Sequence, residues 1–296
     1  MVKYQFYFQK WEEWSRSFQE VNPLPSQEQH LILFLMSQFQ SAKSYPVLEA
    51  SYCAIKHFHA ISGYSIGTSL VTKHLLEAFK RLLAYTPKKK KNLVVEDLRR
   101  IFEKLHSVHS LKNSRTLAIC LLSFSAFLRF DECQKLRRSD IKFFHDHATI
   151  FIQSSKTDVY RQGHWVYIAK LNSNLCPVRG LERYLDLANI ENYSENFIFR
   201  GVTKSKQSER LWFKDQPISY SSVRDDIKRV IKDIDLDHKQ YGVHSLRSGG
   251  ASAAANLGVP DRLIMKHGRW KSVGVKNRYI SEDLENLLYT SRNLGL

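Results

Sequence analysis

His244-Ser-Leu-Arg247 sets an imidazole and a guanidinium three residues apart, on one face of a helical turn. Trp270 follows 23 residues after Arg247, and Tyr279 follows nine residues after Trp270. Far upstream, Arg129 closes an apolar stretch, with Asp131 two and Glu132 three residues on. Lys156 lies in the polar run Ser155-Lys156-Thr157. These side-chain types suit attack on a phosphodiester without a metal. A tyrosine phenol is a nucleophile whose phosphate ester conserves the energy of the broken bond. Arginine forks bond two phosphate oxygens at once and stay charged. Placed on the non-bridging oxygens, they stabilise the charge that builds during attack. A lysine whose pKa is lowered by burial or by nearby cations can protonate the leaving oxygen.

Other chemistries have less support. Val243-His-Ser-Leu-Arg-Ser-Gly-Gly250 has the outline of a hydrolase nucleophile turn around Ser245. Val243 and Arg247 stand where that strained turn needs small residues. No GxxxxGK[ST] or GxGxxG cradle for phosphates occurs. His145 and His147 lack a third ligand at metal-site spacing, and no HExxH is present. His267 is a rival for the position of Trp270, and Tyr289, in a stretch that reads as a later helix, is a rival nucleophile.

The elements that must carry these groups fall into two parts. Tyr4, Tyr7, Phe8, Trp11, Trp14 and Phe18 recur at helical spacing. Ser26 and Gln29 have the form of a capping box before a second helix. A third helix after Pro46 carries Val47, Ala50, Ala54, Phe58 and Ile61, and ends at Gly63. A fourth carries Leu70, Leu75, Leu76, Phe79, Leu82 and Leu83. Thr86 to Asn92 holds a proline and four lysines and no apolar residue, which reads as a solvated boundary. The expected division is a helical domain over 1–87, a basic linker over 88–93 and a larger domain over 94–296. In that larger domain helices are predicted near 95–105, 115–128, 181–187, 222–231, 245–257 and 260–265. Residues 147–153 and 165–168 alternate as strands and form a hairpin around the loop carrying Lys156. A tail helix is expected from about 282. The fold class is mainly α (α+β), with a small antiparallel sheet.

The ordered set Arg129, Lys156, His244, Arg247, Trp270, Tyr279 resembles the tyrosine recombinase (phage integrase) superfamily. Tryptophan in the fifth place is similar to Cre recombinase and to recombinases of some eukaryotic mobile elements. The likeness is sharp from about Ala126 to Tyr279 and only architectural before Lys88. It implies that Tyr279 attacks a DNA phosphate to give a 3′-phosphotyrosine and a free 5′-hydroxyl. Arg129 and Arg247 would clamp the phosphate, with Glu132 (or Asp131) bracing Arg129. His244 would move a proton or hold the phosphate, Trp270 would shape or bond it, and Lys156 would protonate the leaving oxygen. No metal or other cofactor is implied. A type IB topoisomerase uses similar residues on one DNA, and a catalytically silent DNA-binding relative or an unrelated basic interaction protein are the other readings.

Charge agrees with a polyanionic partner, either nucleic acid or an anionic membrane surface. Lys and Arg number 45 against 29 Asp and Glu, a net of +16. Double-stranded DNA is the expected partner, and Lys88, Lys89, Lys90 and Lys91 are candidate phosphate contacts. Recombination by this chemistry implies a homotetramer on two DNA sites, and the tail leucines Leu284, Leu287 and Leu288 would dock either on a neighbour or on their own chain. No apolar run approaches the roughly 20 residues of a membrane span. Four scattered cysteines without a CxxC pair suggest reduced thiols in an intracellular setting: the nucleus if eukaryotic, otherwise the cytoplasm or nucleoid.

Overall fold

Aromatic residues spaced by three and four from Tyr4 to Trp14 fold as helix α1 (Val2–Ser15), with Phe8 and Trp11 turned inward. The computed structural model describes residues 2–85, 89–106, 110–156, 158, 160–205 and 208–295. The chain divides into two compact units, Met1–Lys88 and Lys89–Leu296.

In the first unit α1 is followed by α2 (Glu28–Phe39), α3 (Tyr45–Ile61) and α4 (Leu70–Leu82). Its core is aromatic. Trp11 is fully buried and meets Phe34 edge-on at 5.3 Å, while Phe8 stacks on Phe58 at 4.3 Å and Phe39 on Phe79 at 4.7 Å. Such pairs add about 0.5–1.5 kcal/mol each beyond the area they bury.

Two local expectations fail here. Ser26 does not cap α2: its N–H donates to His59 Nε2 at 3.0 Å, and the helix begins at Glu28 behind Gln27. Buried His59 already bonds the Ile55 carbonyl at 2.8 Å and needs a partner for its other nitrogen. Ile61, Leu70 and Leu82 are exposed, because the apolar stripes run past the ends of the core they meet.

The second unit is built on α6 (Leu111–Ser125), buried along most of its length and packed by α5 (Val95–His106). The helix starts four residues before the expected Arg115, because Ser110 Oγ caps it by accepting from the N–H of Asn113 at 3.2 Å. It also stops three residues before the expected Leu128. Arg129 therefore does not end this helix but stands at the N-terminus of the short α7 (Phe130–Gln134).

Strands β1 (Ile141–Phe143), β2 (His147–Ile152) and β3 (His164–Ala169) form an antiparallel sheet in that order. Ile150 pairs with both Ile141 and Val166, and alternate residues Ala148, Ile150, Ile152, Val166 and Ile168 enter the core. Helix α8 (Pro177–Leu187) returns against α6, and β4 (Val202–Lys204) pairs with β5 (Glu209–Leu211). Strands β1, β4 and β5 were not expected, since three residues are too few to show a period. Helices α9 (Tyr220–Asp233), α10 (His244–Asn256), α11 (Asp261–Gly268), α12 (Val273–Asn277) and α13 (Leu284–Arg292) complete the unit. The whole is mainly α with small antiparallel sheets. Among the described residues no helix is long and apolar enough to cross a membrane.

Gly249 and Gly250 decide where α10 lies. A Cβ at Gly249 would collide with the carbonyl oxygen of Leu93, and one at Gly250 with that of Phe124. Glycine lets α10 approach the end of α6 backbone to backbone. That approach brings His244 and Arg247 to the turn that carries Arg129.

Candidate active site

The site begins at the turn between α6 and α7. Phe127 adopts a positive φ of 46°, and Leu128 N bonds back to Ser123 O at 3.1 Å. The turn reverses the chain so that Arg129 starts α7 with Glu132 one turn on. Glu132 Oε2 accepts the Arg129 backbone N–H at 2.9 Å, and Oε1 accepts Arg129 Nη1 at 2.7 Å. Asp131, the second choice for this role, is exposed and pairs with Lys135 instead.

Glu132 is buried, and two further guanidinium groups reach it. Arg269 Nη2 lies 2.8 Å from Oε2, and Arg247 Nη1 lies 3.6 Å from it. Burial alone would raise the Glu132 pKa, but Arg269, the Arg129 amide, Arg247 and the Arg129 guanidinium together hold it below the usual carboxylate range.

Arg247, on the first turn of α10, is wholly enclosed. It donates to the carbonyls of Phe127 and, at 2.7 Å, Gly268. Burial lowers its pKa to about 10, with Glu132 opposing the shift, so it stays charged at neutral pH. Two rings cover it: its guanidinium carbon lies 4.8 Å from the Trp270 ring centre and 5.1 Å from that of Tyr279. The two rings lie 5.0 Å apart. Trp270 Nε1 and Arg247 Nε are buried with no hydrogen-bond partner among the described residues. A buried donor without an acceptor is costly unless a ligand completes it.

His244 sits one turn before Arg247 at the open end of α10. Burial of its inner face, then Arg247, Arg129 and Lys156, push its pKa below the ordinary 6.5. The same cations therefore converge on one imidazole. Lys156 itself is exposed on the loop between β2 and β3; its neighbour Thr157 is outside the described residues. His267 turns away, donating from Nε2 to Ser125 O at 2.7 Å. Tyr289 is exposed on α13, and Ser245 is buried with its hydroxyl accepting from the Gly242 N–H at 3.0 Å. Among the described residues no cluster of His, Cys, Asp or Glu forms a metal site.

Tyr279 is half-buried just beyond α12. Its segment is tied to the far end of α10: Ser252 Oγ donates to Tyr279 O at 3.3 Å and accepts from Ser281 N at 2.8 Å. Asn256 donates to Ser281 O, and Asn92 donates to the hydroxyls of Ser252 and Ser281.

Of the linker lysines, Lys89, Lys90 and Lys91 are exposed, Lys90 donates to the carbonyl of Lys239, and Lys88 is outside the described residues. Sequence reasoning missed Arg269, the Phe127 carbonyl and the Ser252 clip. Arg269 had one usable signal, its place between Gly268 and Trp270, but one arginine in a chain so rich in cations does not stand out.

Residues 91–285 match the family model described as the phage integrase family. The chain belongs to the phage integrase family. This integrase-family chain is a tyrosine recombinase, a DNA strand transferase of the site-specific class. It is 25% identical over 267 residues to an integrase/recombinase xerD homolog of Selenomonas ruminantium, covering 88% of this chain and 75% of that one.

Solved structures agree in fold. The XerH site-specific recombinase, in a post-cleavage complex with palindromic difH substrate, aligns with a TM-score of 0.70 at 14% identity, over 100% of this chain and 80% of that one. The Tn1549 transposon integrase in complex with circular intermediate DNA gives 0.58 at 11% identity, over 97% and 99%. A lambda integrase dimer bound to a COC′ core site gives 0.56 at 15% identity, over 93% and 70%. At these identities the likeness is one of fold, and the phage integrase assignment rests on the family match.

Proposed function

We propose that this integrase cuts and rejoins duplex DNA at specific sites through a covalent 3′-phosphotyrosine on Tyr279. The Tyr279 phenolic oxygen attacks the phosphorus, and His244 takes or relays its proton. The bond from phosphorus to the 5′-oxygen breaks, and Lys156 gives that oxygen a proton. A partner strand's 5′-hydroxyl then reverses the step. The ester stores the bond, so neither a metal nor a nucleotide enters the scheme.

The observation that carries this reading is the unpartnered buried donor Trp270 Nε1 beside the Arg247 guanidinium and the Tyr279 ring. Arg129 and Arg247 stabilise the charge on the non-bridging oxygens, and Trp270 bonds one of them. Removing one donor from such a site typically costs about 100 to 1,000-fold in rate.

Binding follows from charge. Residues 1–88 hold nine Lys and Arg against six Glu, so +13 of the net +16 belongs to residues 89–296. The helical unit over 1–87 acts as the core DNA-binding domain, with the linker lysines Lys88 to Lys91 on the backbone, and residues 94–296 form the catalytic domain. Affinity should fall with salt at a log–log slope of about −0.9 per phosphate neutralised.

Assembly is as a homotetramer on two DNA sites. Leu284 and Leu287 on α13 are 70% and 63% exposed while Leu288 is half-buried, so two of the three tail leucines stand open to a neighbour. A cavity of about 660 Å³ in the second unit, lined by Phe124, Leu171, Leu175, Leu257, Leu263 and Ile264, offers a neighbour's tail a receptacle.

The test is a trap on nicked duplex, where the released 5′ fragment diffuses away and leaves the protein attached. The wild type should give a denaturation-resistant adduct. Tyr279→Phe should bind the same duplex and give none; an adduct from that variant would overturn the nucleophile.

A further inference from the structure

Arg269 stands in the left-handed backbone region, at φ 58°. That conformation suits glycine and is tolerated poorly by a side chain. The strained backbone buries a guanidinium that the scheme above does not use. Its side chain is 3% exposed. Nη2 donates to Glu132 Oε2 at 2.8 Å and to Phe127 O at 2.9 Å; Nη1 donates to His267 O at 2.9 Å and to Ala126 O at 3.3 Å.

The oxygen that Arg269 occupies is also the one nearest Arg247. Glu132 Oε2 is 2.8 Å from Arg269 but 3.6 Å from Arg247 Nη1, beyond hydrogen-bond reach. A buried carboxylate must find cationic donors. Arg129 holds Oε1 with its guanidinium and reaches Oε2 only with its backbone N–H, so without Arg269 the cation placed to take Oε2 is Arg247. A guanidinium drawn onto Glu132 would turn donors away from the phosphate. It would also break the Arg247 bonds to Phe127 O and Gly268 O that fix its plane.

We propose that Arg269 is a positioning residue for strand cleavage: by holding Glu132 Oε2 it keeps Arg247 off the carboxylate and aimed at the phosphate. The inference rests on the site assignment above. It explains why a side chain is kept at a backbone position that favours glycine, immediately before Trp270. Arg269 itself touches no substrate.

The test is the single-turnover rate of adduct formation on nicked duplex at saturating protein, with DNA affinity measured separately. Arg269→Gly deletes the side chain while suiting the backbone angle. Its adduct rate should fall about 10 to 100-fold, as expected when a catalytic group is misplaced by about 1 Å, with affinity little changed. The double variant E132Q/R269G should cleave as fast as E132Q alone, because the neutral amide that replaces the carboxylate no longer attracts Arg247. Arg269→Lys keeps the charge on Glu132 and should recover most of the rate; Arg269→Gln keeps only neutral hydrogen bonding and should not.

Losses that multiply in the double variant, equal rates for the Lys and Gln variants, or a wild-type rate for Arg269→Gly would each overturn the proposal. Should Arg269→Gly fail to fold, the Lys and Gln pair decides; should those also fail, Arg269 is a folding residue and the proposal falls. Wild-type adduct that disappears in Tyr279→Phe is the control. Without it the site assignment fails first, and the role of Arg269 falls with it.

Discussion

The Tyr279 ring centre lies 5.1 Å from the guanidinium carbon of Arg247 in the same chain. Under the proposed scheme, one copy of the protein would hold both the nucleophile and a clamp for the phosphate it attacks. Proteins that borrow a nucleophile from a neighbour behave differently when two defective copies are mixed. Here a mixture of Tyr279→Phe and Arg247→Ala should form no adduct above that of either variant alone. Adduct restored by mixing would show that the phenol acts on a neighbour's site.

Trp270 is expected to have two separable jobs. Trp270→Phe keeps a ring over Arg247 but removes the unpartnered Nε1–H. Adduct formation should slow by about 100-fold, the typical cost of one transition-state donor, while the thermal midpoint changes little. Trp270→Ala also empties the small cluster of Phe127, Ala251 and Ile264. It should lose about 3–5 kcal/mol of stability as well. Urea denaturation of the two variants separates the effects; equal stability losses would refute the division.

As the proton carrier of the proposed scheme, His244 should set an acid limit on cleavage. Its pKa lies below the ordinary 6.5 because its inner face is buried and Arg247, Arg129 and Lys156 surround it. The neutral ring, the form able to accept a proton, therefore predominates at neutral pH. The rate should hold as pH falls to 6.5 and decline only when the lowered pKa is crossed. His244→Gln should be slower throughout and lack that decline. A limb unchanged in His244→Gln would assign it to another group.

Glu132 links the same site to acid stability. Its folded pKa is below the ordinary 4.5, so the unfolded chain binds its proton more readily. The stabilisation is complete above about pH 4.5 and is lost as pH falls through the folded value. In denaturant titrations the wild type should lose more stability than Glu132→Gln across that window. Parallel curves would assign the acid transition to other carboxylates.

Gly250 tests the approach of α10 to α6. Gly250→Ala puts a methyl into the Phe124 carbonyl. It should cost about 1–3 kcal/mol, as overpacking does, and lower the adduct rate because His244 and Arg247 ride on the same helix. Gly274→Ala meets open space and should leave both unchanged. Calorimetry with the nicked-duplex trap reads both quantities.

The tail should matter only when copies meet. Leu284→Asp with Leu287→Asp adds charge to an exposed face and should leave folding and single-site binding intact. Complexes holding two DNA sites should be lost in sedimentation. Their persistence would remove α13 from the assembly.

Much of this was legible in the chain. Residue types in a fixed order named the groups, and the apolar periods found most of the helices that carry them. Arg129, Arg247, Trp270 and Tyr279 stood out by type and spacing, and the fold gathers them around Glu132 and the Arg247 guanidinium. What escaped depends on three-dimensional neighbours. The Phe127 carbonyl has no side-chain signature, yet both Arg247 and Arg269 bond to it. Ser26 looked like a cap until a buried histidine 33 residues away claimed its N–H. The hairpin of β4 and β5 is too short and too polar for its alternation to register.

Helix α10 bears His244 and Arg247 at its front, and from its rear Ser252 and Asn256 grip the stretch around Tyr279. The proposed clamp and the proposed cutter are thereby bolted to one rod. A nudge to that rod would not blunt the tool by degrees; it would disarm attack and charge relief together. Such an interlock suits a strand transferase, whose half-finished work is a broken DNA strand.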